Sequence, residues 1–290
     1  MNGYVSRYHL GLVYCAAVWG ATFYVVKDAL NAVDPTALVA YRFLLAAALL
    51  LPWVWRRIAW GRELRSGLIL GGFLGVSYLT QTVGLKYTTA ANSGFITGLF
   101  VVFVPLFLWL VERQRPNPTQ WGAVAVAVAG LWLLTNGVQA FTFGDALTVL
   151  TAMAYAAHVI ATGRLAHTAH PLVLAFHQFW VVGLGSLALT VALGRPLTIA
   201  APSGIGVVAF LALVPTLSAF VLQLVGQRHV APFTATLIFL LEPVFAAGFA
   251  WTLGGETLVP MHAVGGLLIV GAMLLGELPA RRPLPVTETG

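Results

Sequence analysis

Two charged side chains, Glu242 and Arg42, lie inside long apolar stretches of this sequence. If these stretches cross a lipid bilayer, as argued below, a charge at mid-depth costs about 3 kcal/mol, so each should face a cavity or a partner. Glu242 could titrate a proton, bind an amine, or simply hold a helix that Pro243 loosens. Arg42 could bind a carboxylate or form a structural pair with an acid or a helix end.

Aromatic and polar residues repeat at helical spacing in two other stretches. Trp19 and Thr22 share a helix face at i, i+3, and Tyr155 and His158 do the same. Aromatic walls with a few polar groups are typical of small-molecule pockets. Packing is the alternative interpretation, although Tyr155 and His158 need polar partners when they are buried. We expect these four residues to line a pocket that binds a small molecule.

Further polar residues and prolines interrupt the apolar stretches. Tyr78, Gln81 and Thr97 are candidate contacts in the same pocket. Hydroxyls and amides also bond helices to one another in membranes, so part of this set could be structural. We predict structural or gating roles for five residues: Arg42, Asn92, Pro105, Gln223 and Pro243.

The composition excludes a water-soluble domain. Of 290 residues, 59% are apolar and only 8% are charged, whereas a soluble domain carries roughly 25% charged residues. Backbone polar groups in lipid must be satisfied within helices or closed barrels. The apolar stretches are about 20 residues long, which favours membrane-spanning helices over the shorter strands of a barrel. The sequence therefore predicts an all-α integral membrane protein in contact with the lipid bilayer.

Charges and helix breakers divide the chain into ten predicted spans. They cover residues 9–30, 35–55, 66–86, 89–111, 118–137, 144–163, 171–194, 204–227, 231–254 and 258–278. Placing the amino terminus in the cytoplasm puts most of the 15 basic residues on the inner side. We therefore expect a multi-pass protein of the plasma membrane with both termini in the cytoplasm.

The second half of the chain repeats the first. Residues 35–43 match 171–179 in their pattern of proline, aromatic and apolar residues, and Gln81-x-x-Gly matches Gln223-x-x-Gly. Because each half has an odd number of spans, the second must insert upside down. We predict a first repeat at 1–137, an inverted second repeat at 144–278 and a disordered cytoplasmic tail at 279–290.

Four short motifs carry a resemblance to a known family. They are the Val-Trp-Gly-Ala-Thr-Phe segment from Val18, Arg42-Phe43, the Ala-Ala-Asn-Ser-Gly-Phe segment from Ala90, and Leu241-Glu242-Pro243. Together they resemble the drug/metabolite transporter superfamily, of the EamA type. The resemblance implies a ten-helix carrier of small metabolites, many members exporting amino acids, including aromatic ones. On this basis we expect secondary-type export by alternating access, with protons as a candidate coupling ion.

Other function classes fit the sequence less well. It contains no phosphate loop, nucleophile elbow or zinc-type Cys/His spacing, so we expect no enzyme, cofactor or metal. Basic residues lie in short connections between apolar stretches, unlike the basic, aromatic-interleaved face of a nucleic-acid binder. A channel remains an alternative, as does a sugar-phosphate or nucleotide-type antiporter of the same superfamily, which should carry more basic residues within its spans than Arg42.

Overall fold

A computed structural model describes residues 6–58, 61–137, 141–252 and 259–276. Over these ranges the regular structure is helical, and no strand is present. Within the described ranges, nine helices are long and apolar enough to cross a bilayer, and a tenth apolar helix has 17 residues. The predicted all-α, ten-helix membrane fold is confirmed. The predicted disordered tail, 279–290, lies outside the described residues.

The helices are numbered α1 to α10 in chain order. Six are continuous: α2 (Pro35–Val54), α3 (Arg62–Gly84), α5 (Pro118–Thr135), α6 (Phe143–Leu165), α7 (Pro171–Ala192) and α10 (Pro260–Gly276). Four are interrupted: α1 (Arg7–Gly20, Thr22–Ala29), α4 (Ala90–Gly98, Phe100–Glu112), α8 (Pro202–Leu211, a π-helix at Ala212–Ser218, Ala219–Gly226) and α9 (Pro232–Phe239, Glu242–Thr252). We call the end of the bundle where α1 begins the amino-terminal side, and the other end the far side.

Proline and polar caps set where several helices begin. Pro35, Pro118 and Pro171 each lie in the first turn, where a missing N–H leaves no hydrogen bond unmade. Asp34 accepts from the backbone N–H of Thr36 at 2.9 Å, which satisfies one of the free donors of α2. These local signals explain why the helix starts were predictable to within a few residues.

The ten helices pack as two interleaved inverted repeats. The main contacts across the repeats pair α2 with α7, α5 with α10, α3 with α7, α3 with α6, and α1 with α8. Exchanging the repeats converts α1 into α6 and α3 into α8, so the last two pairs are equivalent. This pattern is the one expected for a pseudo-two-fold axis in the membrane plane.

Glycines allow the paired helices to approach closely. A side chain at Gly130 of α5 or Gly265 of α10 would meet the backbone of the partner helix. On α3, Gly67 and Gly71 lie against His177 and Val181 of α7, as the Gly-x-x-x-Gly spacing predicts. The cross-repeat interfaces therefore depend on small residues at these positions.

A cation caps one helix end on each side of the bundle. On the far side, the Lys27 ammonium donates to the carbonyls of Leu85 and Thr88, just after α3. On the amino-terminal side, the Arg228 guanidinium donates to the carbonyls of Ala166 and Ala169, just after α6. Both cations lie where the carbonyls of a helix end are unpaired and the helix dipole is negative. We call them the far-side cap and the amino-terminal cap.

Candidate functional site

A narrow cavity lies between the two repeats in the far-side half of the bundle. It has a volume of about 40 Å³, which is room for roughly three water molecules. Its walls come from α1, α2, α3, α4, α6 and α9: Trp19, Thr22, Phe23, Val26, Arg42, Ser77, Tyr78, Gln81, Thr82, Leu85, Thr97, Tyr155 and Glu242. A solute larger than water therefore requires these helices to move apart. We call this space the central cavity.

Most of the sequence-predicted contacts meet at the central cavity. Its walls include seven of the eight residues predicted to contact the substrate: Trp19, Thr22, Tyr78, Gln81, Thr97, Tyr155 and Glu242. His158, the eighth, is not among them. The structure thus brings together residues from five helices that are far apart in the sequence.

Glu242 is the acid of the cavity. It is the first residue after the break in α9, its side chain is 9% exposed, and none of the hydrogen bonds or ion pairs among the described residues involves its carboxylate. The break falls at Leu240–Leu241, one turn before the predicted hinge at Pro243. The reason is that a proline cannot bond the carbonyl four residues earlier, here that of Phe239.

Arg42 is the cation of the cavity. Its side chain is 3% exposed, its Nε–H donates to the Thr216 hydroxyl at 2.9 Å, and its guanidinium carbon lies 4.8 Å from the ring centroid of Tyr78. No carboxylate in the described ranges lies within 4.0 Å of it. The alternative in which Arg42 pairs with an acid is therefore wrong, because its partners are a hydroxyl and an aromatic face.

Trp19 connects the cavity wall to α8. The break in α1 leaves the Trp19 carbonyl to accept from the Thr22 hydroxyl at 2.7 Å. The Trp19 indole N–H donates to the Pro215 carbonyl at 2.9 Å, and its ring meets that of Tyr155 edge-on at 6.1 Å. A buried indole N–H needs such an acceptor. Both Trp19 and Arg42 therefore bind the π-helix of α8.

The π-helix exists because Pro215 removes a backbone donor in the middle of α8. The Thr216 hydroxyl donates to the Leu211 carbonyl at 2.7 Å, so it satisfies an acceptor within the irregular turn. Its oxygen also accepts from Arg42. Thr216 is therefore a joint between the cavity and α8.

An aromatic cluster closes the cavity toward the amino-terminal side. Phe220, in the helical turn after the π-helix, is fully buried. Its ring centroid lies 5.2 Å from that of Trp19, 5.8 Å from Tyr78, 6.0 Å from His158 and 6.1 Å from Phe179. We call Phe220 the plug.

His158 lies behind the plug instead of in the cavity. Its Nε2 is 3.2 Å from the Gln178 side-chain oxygen. It follows Tyr155 by three residues on α6, about 4.5 Å farther toward the amino-terminal side. Gln223 is also buried there and donates to the Gln227 side chain at 2.8 Å, which in turn donates to the Val159 carbonyl at 2.9 Å. The depth of His158 was predictable, but the closure in front of it was not.

The other predicted gating residues lie outside the central cavity. Asn92 is in the first turn of α4, where its backbone N–H donates to the Thr89 hydroxyl at 3.0 Å. Pro105 is six positions after the α4 break at Leu99, so the missing N–H of Pro105 is not what breaks α4 there. Pro243 lines a neighbouring cavity of about 190 Å³ that shares Phe23 with the central cavity.

Sequence reasoning missed three groups of residues at the site. Ser77 and Thr82 line the cavity one turn from Gln81 and Tyr78, so helical spacing could have found them. Val26 lies one turn after both Thr22 and Phe23 on α1, so helical spacing relates these three wall residues. Pro215, Thr216 and Phe220 carried only one signal, a proline inside an apolar stretch.

No cluster that could hold a metal ion occurs among the described side chains, where at least three His, Cys, Asp or Glu residues would have to meet. What the central cavity does offer is one carboxylate, one guanidinium, several hydroxyls and an aromatic wall. This set can bind a small amphipathic molecule by opposite charges and ring contacts.

Comparison with known proteins supplies the family. A model of the EamA-like transporter family matches residues 6–136 and again residues 142–276. An uncharacterized transporter of Archaeoglobus fulgidus is 33% identical over 274 residues, which cover 93% of this chain and 85% of that protein.

More distant relatives match this chain along most of their length. The inner membrane transporter YedA of Escherichia coli is 26% identical over 90% of this chain and 87% of its own, and YwfM of Bacillus subtilis is 24% identical over 95% of each chain. A crystal structure with a TM-score of 0.77 and 19% identity covers 95% of this chain and 99% of its own. That likeness supports the fold alone.

Proposed function

The chain belongs to the EamA-like transporter family, and from this membership we propose that it exports amino acids by alternating access through the central cavity. The family match and the apolar helices together make it a multi-pass membrane transporter. The substrate class, the direction and the mechanism are our proposal.

The observation that carries the proposal is a pair of opposite charges facing one small cavity without pairing to each other. Arg42 and Glu242 both line the central cavity, yet they are not within 4.0 Å of each other. An amino acid carries a carboxylate and an ammonium on the same α-carbon, so it complements such a pair. The rings of Trp19, Tyr78 and Tyr155 would then receive its side chain.

The closed geometry supports alternating access. The central cavity reaches from mid-depth toward the far side, whereas the buried ring of Phe220 lies on its amino-terminal side. A cavity of about 40 Å³ is far below the roughly 300–1,000 Å³ of a typical ligand pocket. Binding therefore requires a rocking of the two repeats, which the inverted architecture favours.

Orientation completes the proposal. With both termini in the cytoplasm, the amino-terminal side is the inner side and the solute leaves through the far side of the plasma membrane. Glu242 is the candidate for proton coupling, because it is the carboxylate of the central cavity. A sugar-phosphate antiporter would need more cations there than Arg42, since phosphate carries two charges.

The test is counterflow in proteoliposomes. Purified protein is reconstituted with an unlabelled solute inside, and uptake of the radiolabelled solute is followed for a panel of amino acids and other metabolites. The proposal expects saturable counterflow for one or more amino acids, with none in liposomes without protein. Ion current that does not saturate would support a channel, chemical conversion of the solute an enzyme, and counterflow of phosphorylated sugars alone the antiporter.

A further inference from the structure

A buried polar cluster lies on the amino-terminal side of the plug. It consists of His158 and Thr162 on α6, Gln178 on α7 and Gln223 on α8, each no more than 1% exposed. His158 and Gln178 bond to each other, and Gln223 reaches the α6 backbone through Gln227. We call these four residues the inner cluster.

Every residue of the inner cluster has a polar atom without a hydrogen bond. These atoms are His158 Nδ1, Thr162 Oγ1, Gln178 Nε2 and Gln223 Oε1, and the adjacent Tyr155 hydroxyl is a fifth. They are five of the eight such atoms found among the described residues. Each buried group left without a partner costs about 1–3 kcal/mol. Their concentration in one place points to partners that the closed conformation excludes.

The inner cluster also lies in line with the central cavity. Tyr155, His158 and Thr162 follow one face of α6 at i, i+3 and i+7, a path of about 10 Å toward the amino-terminal side at 1.5 Å per residue. Tyr155 lines the central cavity. Phe220 separates the two, since its ring contacts both Trp19 and His158.

The position of Phe220 depends on residues that line the cavity. Phe220 follows the π-helix within one turn, and the π-helix is bonded to Trp19 at the Pro215 carbonyl and to Arg42 at the Thr216 hydroxyl. A solute that takes over the donors of Trp19 and Arg42 removes both bonds. The π-helix that precedes Phe220 then loses its hydrogen bonds to the cavity wall, which weakens the restraint on the position of Phe220.

We propose that the inner cluster is a second solute site, which joins the central cavity when Phe220 withdraws, is reached from the amino-terminal side in that open state, and binds the polar groups of the solute by neutral hydrogen bonds. This second site belongs to the transport pathway proposed above, and its assignment rests on that proposed function. An imidazole, a hydroxyl and two amides provide donors and acceptors without a fixed charge. Such a site holds a zwitterion more weakly than Arg42 and Glu242 do, so it suits entry and release.

The test is the accessibility of a cysteine placed in the inner cluster. The natural cysteine, Cys15, is buried and is replaced by alanine, and Thr162→Cys is introduced. The matched control is Thr148→Cys on the same helix, because Thr148 is equally buried but its hydroxyl donates to the Gly144 carbonyl. Gln114→Cys, in the exposed connection after α4, marks the amino-terminal side.

A membrane-impermeant cationic thiosulfonate is added to sealed vesicles of each orientation. We expect Thr162→Cys to react about tenfold faster than Thr148→Cys, from the same side as Gln114→Cys, because a minor open state is populated during cycling. Adding Phe220→Ala should accelerate the reaction further. Gln223→Cys repeats the measurement if Thr162→Cys reduces the folded yield.

Two results would overturn the inner site: equal, slow reaction of Thr162→Cys and Thr148→Cys in both backgrounds, or reaction from the far side alone. Counterflow is measured in parallel on vesicles of the unmodified protein, because Thr162 and Gln223 belong to the proposed site, and this measurement separates the two proposals. Slow labelling with intact amino-acid counterflow rejects the inner site only. Fast labelling without counterflow of any amino acid supports the inner site and rejects the proposed substrate.

Discussion

The two halves of the bundle, above and below the plug, have related folds but opposite polar chemistry. The far-side half holds the central cavity, where Arg42 and Glu242 face a common space. The amino-terminal half holds the inner cluster, whose polar residues are neutral and whose atoms are partly unpaired. The inverted repeat thus supplies a symmetric scaffold, and the side chains make the two directions of passage unequal.

One pair of matched positions shows how the difference arises. The internal repeat sets Arg42 of α2 against Gln178 of α7, and the two helices pack on each other. Arg42 donates to Thr216, whereas Gln178 pairs with His158. A guanidinium on one side and an amide on the other should bind an anionic group tightly on the far side and loosely on the inner side.

The largest expected effect is the loss of the cavity acid. Glu242→Gln should lower counterflow about 100-fold, because it removes one charge of the buried pair that Glu242 would form with the solute ammonium. Such a loss costs about 2–5 kcal/mol, and about 1.4 kcal/mol corresponds to a factor of ten. It should also remove any dependence of uptake on a proton gradient. The matched control is Glu112→Gln, since Glu112 pairs with Arg164 at 2.7 Å outside the cavity. An unchanged pH dependence in Glu242→Gln would exclude proton coupling through this residue.

The next effect tests the difference between Arg42 and Gln178. Arg42→Gln, which makes the two positions alike, should raise the apparent KM of counterflow about tenfold, as expected for one charge-assisted hydrogen bond. Arg195→Gln is the control, because Arg195 is exposed after α7. Equal KM values for Arg42→Gln and the unmodified protein would contradict a role for Arg42 in binding the solute.

A smaller effect is expected at Thr216, the joint between the cavity and α8. Thr216→Val should lower the free energy of unfolding by about 1–3 kcal/mol, because it leaves Arg42 and the Leu211 carbonyl without a partner. A thiol-reactive dye that reports exposure of Cys15 on heating measures the change. Thr236→Val is the control, since Thr236 is equally buried and its hydroxyl bonds only within its own helix. The same shift in both variants would mean that the joint adds nothing.

The smallest effect compares the two cation caps. Lys27→Met removes the far-side cap and should lower stability by about 0.3–1 kcal/mol, the usual size of a cation at a helix end. Arg228→Met should cost more, because a bidentate guanidinium binds two carbonyls in a fixed geometry. Lys86→Met, at an exposed position, is the control. A larger loss for Lys27→Met than for Arg228→Met would reverse this order.

The sequence predicted the helices because their signals are local. Apolar length, proline in the first turn and polar caps act within one helix, so the spans were placed to within a few residues. The predicted spans place Trp19, Tyr155 and Glu242 near mid-depth, because the rise per residue converts position along a helix into depth. The shared cavity follows from these depths once the repeats are paired.

The sequence did not predict what depends on contacts between distant helices. Arg42 was expected to pair with an acid or a helix end, but its partner is Thr216, 174 positions away. His158 was expected in the cavity, but Phe220 from α8 lies in front of it. Spacing within one helix cannot show which ring of another helix fills the gap, so these contacts required the structure.

The π-helix of α8 determines how a change in the length of this helix affects the positions of Phe220 and Gln223. An α-helix turns about 100° per residue, and a π turn accommodates one more residue than an α turn. Deleting one residue between 212 and 218 should therefore convert the π turn into an α turn and keep Phe220 and Gln223 facing the centre. Deleting one residue in the α-helical turns before it should instead rotate both residues by about 100°. In α8, a one-residue deletion should be tolerated best within the π-helix.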